Sequence, residues 1–264
     1  MRELAPLTFA WLRVVGAGVI LAFLARNEPK LSYEDGRRVG WWAILAVVIN
    51  QSLFLAGLAL TTVPVAAVLV TTIPVFTLGA AIVARQERVT AARIGGIALA
   101  GTGALLVVGG ESFHGSIRSF IGAAMICLNC LAYSIYLVLS KPHMKRLSAR
   151  RVVARMFAVG AIAMIPIAAL PLSREQWSRI SMNAWIALIA VIIGPTVGAY
   201  LLQAWALRHA DSSVVASQTY IQPVLATLLG VVFLGEKLRA IVVVAAVMIF
   251  AGVWLATTPR ASRA

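Results

Sequence analysis

The chain has 264 residues, of which 61% are hydrophobic and only 12% are charged. Roughly a quarter of the residues in a soluble domain are charged, so this composition, with a mean hydropathy of +0.92, excludes an ordinary soluble protein. The net charge of +14 does not indicate a nucleic-acid partner, because the basic residues lie between long apolar runs, where they orient membrane proteins.

The apolar runs are long enough to cross a lipid bilayer as helices. A helix needs about 20 largely apolar residues to span the hydrocarbon core, and only helices or closed barrels satisfy their backbone hydrogen bonds in lipid. These runs are continuous rather than alternating, which favours helices. The sequence therefore predicts an all-α integral membrane protein. Its nine predicted spans cover residues 6–25, 40–60, 63–84, 92–110, 118–139, 152–172, 183–207, 212–234 and 240–257.

The basic residues between the spans predict the orientation of the chain. If the C-terminus is cytoplasmic, most Lys and Arg residues fall in cytoplasmic connections, as the positive-inside rule requires. We therefore expect a cytoplasmic C-terminus, and the cytoplasmic (inner) membrane of a bacterium as the location.

Two stretches of the chain repeat one pattern. Residues 73–87 read IPVFTLGAAIVARQE and residues 222–236 read QPVLATLLGVVFLGE. Each has Pro-Val at its second and third positions and ends at a glutamate thirteen residues after the proline, and the copies lie 149 residues apart. This register predicts an internal duplication, with one repeat over residues 1–110 and another over residues 118–258.

The second predicted repeat contains five spans, whereas the first contains four. A partner of span 118–139 would lie before Met1, so we expect a ten-helix design whose first helix is absent from this sequence. An odd number of helices per repeat makes the two repeats enter the membrane from opposite sides. The predicted architecture is therefore a pair of inverted five-helix repeats, which is common in alternating-access transporters.

These features resemble the drug/metabolite transporter superfamily, and more closely its EamA-type ten-helix exporters. The resemblance rests on the proline, the helix-end glutamate and the glycine-containing last helix of each repeat. The opening ELAPLTFAWLR, from Glu3 to Arg13, is similar to the segment that follows the first helix in that family. The resemblance covers essentially the whole chain. It implies a central cavity, partly lined by the helix absent here, and export of small organic solutes such as amino acids, metabolites or drug-like molecules.

The prolines and glutamates of the repeated stretch have predicted structural roles. A proline inside a helix removes one hydrogen bond and clashes one turn back, so Pro74 and Pro223 are predicted kinks, either beside the transport path or in packing alone. Glu87 and Glu236 are predicted helix-end anchors rather than proton carriers. We expect neighbouring basic residues or the N-termini of adjacent helices to hold them.

Polar side chains within the spans are candidates for the substrate cavity. Such residues are costly in lipid and tend to face the protein interior, and several recur at helical spacing along one face of a span. The alternative is that they only join helices by hydrogen bonds, each contributing about 0.6 kcal/mol. The candidates are Asn50, Gln51, Thr71, Thr72, Asn129, Tyr133, Tyr136, Thr196, Tyr200, Gln203, Gln218, Tyr220 and Gln222.

Arg13 is the charged residue that lies farthest inside a predicted span. It is suited either to attracting an anionic group or to a structural role near the interface, and its place close to the start of the span favours the structural role. No Asp, Glu or His lies in the middle of a span. Facilitated efflux, exchange of two solutes and proton coupling through a residue outside this sequence all remain open.

Other functional classes have weaker support. The three histidines are scattered and no phosphate-binding loop occurs, so we expect no catalytic residues, no metal site and no cofactor. Cys127 and Cys130 are interpreted as apolar fillers. A non-transporting membrane scaffold or an inactive truncated transporter is the alternative function, and a membrane-embedded enzyme is a weaker one. The small-residue face of span 92–110 suits internal packing or a homodimer.

Overall fold

The computed structural model describes residues 3–61, 63–87, 90–108, 117–222 and 240–257. These residues form helices joined by short connections, and no strand occurs among them. The all-α class predicted from the continuous apolar runs is confirmed.

Eleven α-helices are present in the part of the chain that the structure describes, two of them with an internal π-helical segment. They are α1 (Pro6–Leu24), α2 (Tyr33–Leu58), α3 (Val63–Val70), α4 (Ile73–Val83), α5 (Ala91–Val108), α6 (Ile117–Met144), α7 (Ala149–Ala163), α8 (Ile165–Arg174), α9 (Met182–His209), α10 (Ser212–Ala216) and α11 (Ala240–Thr257). Short 3-10 turns cover Trp177–Arg179 and Ser217–Tyr220.

Local sequence signals explain where several of these helices begin. Pro6 stands in the first turn of α1, where its missing N–H costs nothing. Ser32 precedes α2, and its hydroxyl accepts a hydrogen bond from the backbone N–H of Asp35 at 3.2 Å. Ser148 and Ser181 cap α7 and α9 in the same way, each satisfying a backbone donor that the helix leaves free.

Four helices are long and apolar enough to cross a membrane, namely α1, α2, α6 and α9. Helices α7 and α8 meet at a bend of 60°, and the pair makes a fifth span if it crosses as one. These spans belong to the part of the chain that the structure describes, so the count of nine spans stays a prediction. Helices α5 and α11 closely follow the predicted spans 92–110 and 240–257.

The predicted span 63–84 is two helices rather than one kinked helix. Helix α3 ends at Val70, a turn follows at Thr71 and Thr72, and Pro74 lies in the first turn of α4. A proline at that position loses no hydrogen bond, whereas a helix-interior proline loses one. Pro223, the other predicted kink, lies outside the described residues.

Contacts divide the chain into two compact units. One comprises Met1–Leu55 and Leu139–His209, and the other comprises Ala56–Val138 and Ala210–Ala264. Each unit therefore combines segments from both of the predicted repeats. The repeats themselves remain a prediction.

The first unit is built around α1 and α7, with α2 also packed against α7. Its closest helix contacts involve glycines. A Cβ on Gly160 of α7 would meet Val47 at 2.6 Å, and a Cβ on Gly16 of α1 would meet Ile192 at 2.6 Å. Val47 and Ile192 lie in the π-helical segments of α2 (Ile44–Ile49) and α9 (Ile192–Gly198). Wide π turns are rare and often occur at functional sites.

In the second unit, α5 packs along α11 through small residues. A Cβ added to Gly96 would lie 2.6 Å from the backbone nitrogen of Ala256, and one added to Gly252 would lie 2.8 Å from the Cβ of Ala100. Small residues let helix backbones approach closely in lipid. The small-residue face of span 92–110 thus packs within the chain, and a homodimer remains a prediction.

Candidate functional site

A polar cluster inside the first unit joins α1, α2 and α9. The guanidinium of Arg13 donates a hydrogen bond to the side-chain oxygen of Gln51. The amide of Gln51 in turn donates to the side-chain oxygen of Asn50 at 3.4 Å. Gln51 is buried. Two of the predicted cavity residues are thus brought to Arg13, the charged residue farthest inside a predicted span.

Tyr200 extends this cluster from α9. Its hydroxyl donates to the backbone carbonyl of Ala46 at 3.0 Å, and it also interacts with Arg13 and Gln51. Its ring meets that of Phe157 edge to face, with the centroids 4.9 Å apart. Ala46 belongs to the π-helical segment of α2, and Tyr200 follows the π-helical segment of α9. The altered backbone of both helices therefore lies at the polar cluster.

The charge of the cluster is not balanced within the described residues. Arg13 lies about 10 Å along α1 from its first residue, and no described carboxylate pairs with it. Its Nε atom is buried without a hydrogen-bond partner. A guanidinium removed from water is costly unless an anion and further hydrogen bonds compensate it. The amide of Gln51 supplies a dipole rather than a charge, so the cluster has the chemistry of an anion site.

Two further candidates on α9 lie in the same unit. Thr196 is buried and donates its hydroxyl to the carbonyl of Val191 at 2.8 Å, within its own helix. Gln203 is also buried. Asn50, Gln51 and Tyr200 of this cluster are cavity candidates predicted from the sequence, whereas the prediction for Arg13 is a structural role.

The candidates Thr71 and Thr72 belong to the break between α3 and α4, in the second unit. Thr72 donates its hydroxyl to the carbonyl of Leu69 at 2.6 Å, and Thr71 is buried. Helix α6 supports this break, since Cys130 donates to the Leu69 carbonyl at 3.6 Å and Ser134 donates to the Ile73 carbonyl at 3.1 Å.

The polar contacts of Cys130 and Ser134 were missed from the sequence. The two residues lie one turn apart on α6, and that spacing was the available signal. The Cys130 contact helps satisfy a carbonyl in the last turn of α3, where the helix leaves carbonyls free and lipid offers no donor. Cys130 is therefore more than the apolar filler that its surroundings suggested.

The remaining candidates of the second unit are dispersed. Asn129 and Tyr136 are buried on α6, and the ring centroid of Tyr133 lies 5.8 Å from that of Tyr136. Tyr220 is fully buried in an apolar cluster with Ala100 and Ile249. Gln218 and Gln222 are exposed, so the structure separates their side chains from the core position of Tyr220.

Glu87 binds the N-terminus of α10. Its carboxylate accepts hydrogen bonds from the backbone N–H of Ser213 at 3.2 Å and from the Ser213 hydroxyl. Arg93 pairs with the same carboxylate at 3.2 Å and with Asp211 at 2.8 Å. A helix N-terminus thus holds Glu87, one of the two arrangements expected, and its basic partner among the described residues is Arg93. Glu236 lies outside the described residues.

No cluster of three or more His, Cys, Asp or Glu side chains suited to a metal ion occurs in the described ranges. The rings of His143 and His209 lie against Trp42 and Trp205, at centroid distances of 5.4 and 4.6 Å.

Comparison with known proteins assigns a family across nearly the whole chain. The EamA-like transporter family matches residues 1–109 and 120–258. A solved crystal structure superposes with a TM-score of 0.81 at 21% sequence identity, covering 96% of this chain and 89% of the other. At that identity the likeness establishes the fold alone.

Similar sequences occur in bacteria, archaea and plants. An uncharacterized transporter of Clostridium kluyveri is 26% identical over 90% of this chain and 79% of its own length. An uncharacterized transporter of Archaeoglobus fulgidus is 25% identical over 98% of this chain and 90% of its own length. A WAT1-related protein of Arabidopsis thaliana is 22% identical over 93% of this chain and 74% of its own length.

Proposed function

Because the chain belongs to the EamA-like transporter family and is a membrane transporter, we propose that it exports small organic solutes by alternating access. Transporters are generally not enzymes, and no catalytic step belongs to the proposal. The protein is an integral membrane protein, and the bacterial inner membrane with a cytoplasmic C-terminus is the proposed location.

The polar cluster around Arg13 carries the substrate part of the proposal. An arginine paired with an amide has guanidinium donors left for a ligand, and a carboxylate matches their planar geometry. A carboxylate there would replace a charge–dipole contact with a charge–charge contact in a medium of low dielectric constant. The proposed solute is therefore an amphipathic organic molecule with a carboxylate, such as an amino acid.

Two features of the backbone support a conformational cycle. The bend of 60° between α7 and α8 and the π-helical segments of α2 and α9 are places where helices change direction or register without losing a whole turn of hydrogen bonds. Tyr200, two residues after the π-helical segment of α9, donates to the carbonyl of Ala46 in the π-helical segment of α2. In the proposed cycle, this contact is remade as the cluster opens alternately to each side.

A flux assay with matched solutes tests the proposal. Phenylalanine and 2-phenylethylamine share a body and differ by the carboxylate, so we expect proteoliposomes to transport only the former. Arg13→Gln should raise the KM for the amino acid at least tenfold, equivalent to about 1.4 kcal/mol, and Arg13→Lys should raise it less. Arg26→Gln is the control, because Arg26 lies over the Phe23 ring at the end of α1 and should leave KM unchanged.

Equal transport of the acid and the amine, together with an unchanged KM in Arg13→Gln, would remove Arg13 from the substrate site while leaving a transporter. Absence of both flux and binding for a broad set of amino acids, metabolites and dyes would instead support the non-transporting scaffold.

A further inference from the structure

A basic cleft of about 580 Å³ lies in the first unit, at the end of α1 and the beginnings of α2 and α7. Its charged lining consists of Lys30, Arg37, Arg151 and Arg155. We propose that this basic cleft binds the phosphate group of an anionic phospholipid. The proposal is independent of the transported solute.

The basic side chains of the cleft differ from the arginines around it because those arginines form ion pairs. Each described acidic residue near the cleft, namely Glu28, Glu34 and Asp35, pairs with an arginine that does not line the cleft. These ion pairs are Arg38 with Glu34 at 3.5 Å, Arg146 with Asp35, and Arg150 with Glu28 at 3.4 Å.

The four lining residues, by contrast, have no acidic partner among the described residues. Among the described residues, the guanidinium of Arg151 donates only to the backbone carbonyl of Glu28, and its Nε atom is buried without a hydrogen-bond partner. The cleft therefore concentrates positive charge that the described residues leave unneutralised.

The positions of these arginines within their helices also favour a bound anion. Arg151 lies in the first turn of α7 with Arg155 one turn further along, and Arg37 lies just past the first turn of α2. The dipole of a helix disfavours positive charge at its N-terminal end. An anion bound there would interact favourably with both the guanidinium groups and the helix ends, and phosphate offers geometry that arginine binds through two hydrogen bonds.

The apolar part of the lining favours a lipid over a soluble phosphate. Ala22, Leu31, Ala154 and Ala158 also line the cleft. Tyr33 lines it as well and is 86% exposed, as expected of an aromatic side chain at the headgroup level of a membrane. A phospholipid fits this combination, with its phosphate among the basic groups and its first acyl carbons against the alanines. Clefts of this kind between membrane helices bind anionic headgroups.

The positive-inside rule alone explains basic residues in a connection, but it does not require that they converge on one cleft without acids. A neighbouring cleft of about 710 Å³ provides the matched comparison. It contains Arg146, Arg150 and Arg208 together with Glu28, so its charge is partly neutralised within the chain. Removing charge from this second cleft should have less effect on lipid binding.

The test measures lipid binding to the full chain in detergent by native mass spectrometry. We expect dioleoylphosphatidylglycerol to bind at least tenfold more tightly than dioleoylphosphatidylcholine. Arg37→Gln combined with Arg155→Gln should reduce that affinity about 25-fold, on the basis of about fivefold per charge. Arg150→Gln combined with Arg208→Gln should reduce it less than fivefold. Arg37→Lys combined with Arg155→Lys should restore most of the affinity, which separates charge from misfolding.

Three results would overturn the proposal. Equal losses in the two glutamine pairs would indicate nonspecific surface charge. Equal binding of the two lipids would exclude an anionic headgroup site. If inorganic phosphate or glycerol phosphate bound as tightly as the anionic lipid, with the same sensitivity to Arg37 and Arg155, the ligand would be a soluble phosphate.

Discussion

Replacement of Glu87 by glutamine should destabilise the second unit strongly. The Glu87 side chain is fully buried and accepts hydrogen bonds from Arg93 and from both donors of Ser213. Breaking one partner of a buried ion pair costs about 3–5 kcal/mol. Arg93 keeps Asp211 as a partner at 2.8 Å, so we expect the lower end, about 3 kcal/mol. At about 2–4 °C per kcal/mol for a chain of comparable size, the Tm should fall by roughly 6–12 °C.

This change in Tm is measured by thermal unfolding in detergent, with the loss of monodisperse protein as the readout. Glu34→Gln is the matched control, because Glu34 has a side chain that is 73% exposed and pairs with Arg38 at 3.5 Å. Such exposed pairs contribute about 0–1 kcal/mol, so its Tm should change little. Adding Arg93→Gln to Glu87→Gln should cost less than the sum of the single changes. Equal Tm shifts for Glu87→Gln and Glu34→Gln would refute the anchoring role of Glu87.

Three backbone positions yield further predictions. A Cβ on Gly57 would lie 2.7 Å from the carbonyl oxygen of Gly122, so Gly57→Ala should lower stability by about 1–3 kcal/mol. In the matched variant Gly40→Ala, the added Cβ meets nothing within 4 Å, so stability should rise by about 0.5–1 kcal/mol. Equal Tm changes in Gly57→Ala and Gly40→Ala would contradict the close helix contact at Gly57. Arg85 has a φ of 55° in a Schellman turn in which Gln86 N–H donates to the Ala81 carbonyl. Arg85→Gly should raise the free energy of unfolding by about 1 kcal/mol, whereas Arg85→Ala should leave it unchanged. A similar increase in both variants would exclude backbone strain at this position.

The polar cluster around Arg13 shows how much of a candidate binding site residue type alone can predict. Asn50, Gln51 and Tyr200 were selected because polar side chains are costly in spans, and the structure brings them together. Arg13 was favoured as structural because its position near the start of α1 suggested access to the interface. Its contact with Gln51, 38 residues away, is a tertiary fact that no local pattern contains.

The sequence by itself determined the properties that depend on short segments. Continuous apolar runs predicted helices because lipid demands internal backbone hydrogen bonds, and α1 was predicted at residues 6–25 and found at Pro6–Leu24. The resemblance at Glu3 to Arg13 and in the repeated stretch identified the family correctly. Each of these inferences needs only local composition or register, which remain visible in one dimension.

Only the tertiary structure decided which polar groups become partners. Pro74 is compatible with a kink or a helix start. The structure selects a start, where Ser134 and Cys130 of α6 bond the carbonyls at the break. Glu87 binds Ser213, 126 residues away in the sequence. Hydrogen bonds and ion pairs act over about 3 Å, so their partners are chosen by helix packing, and the spacing of residues along the chain carries little information about that choice.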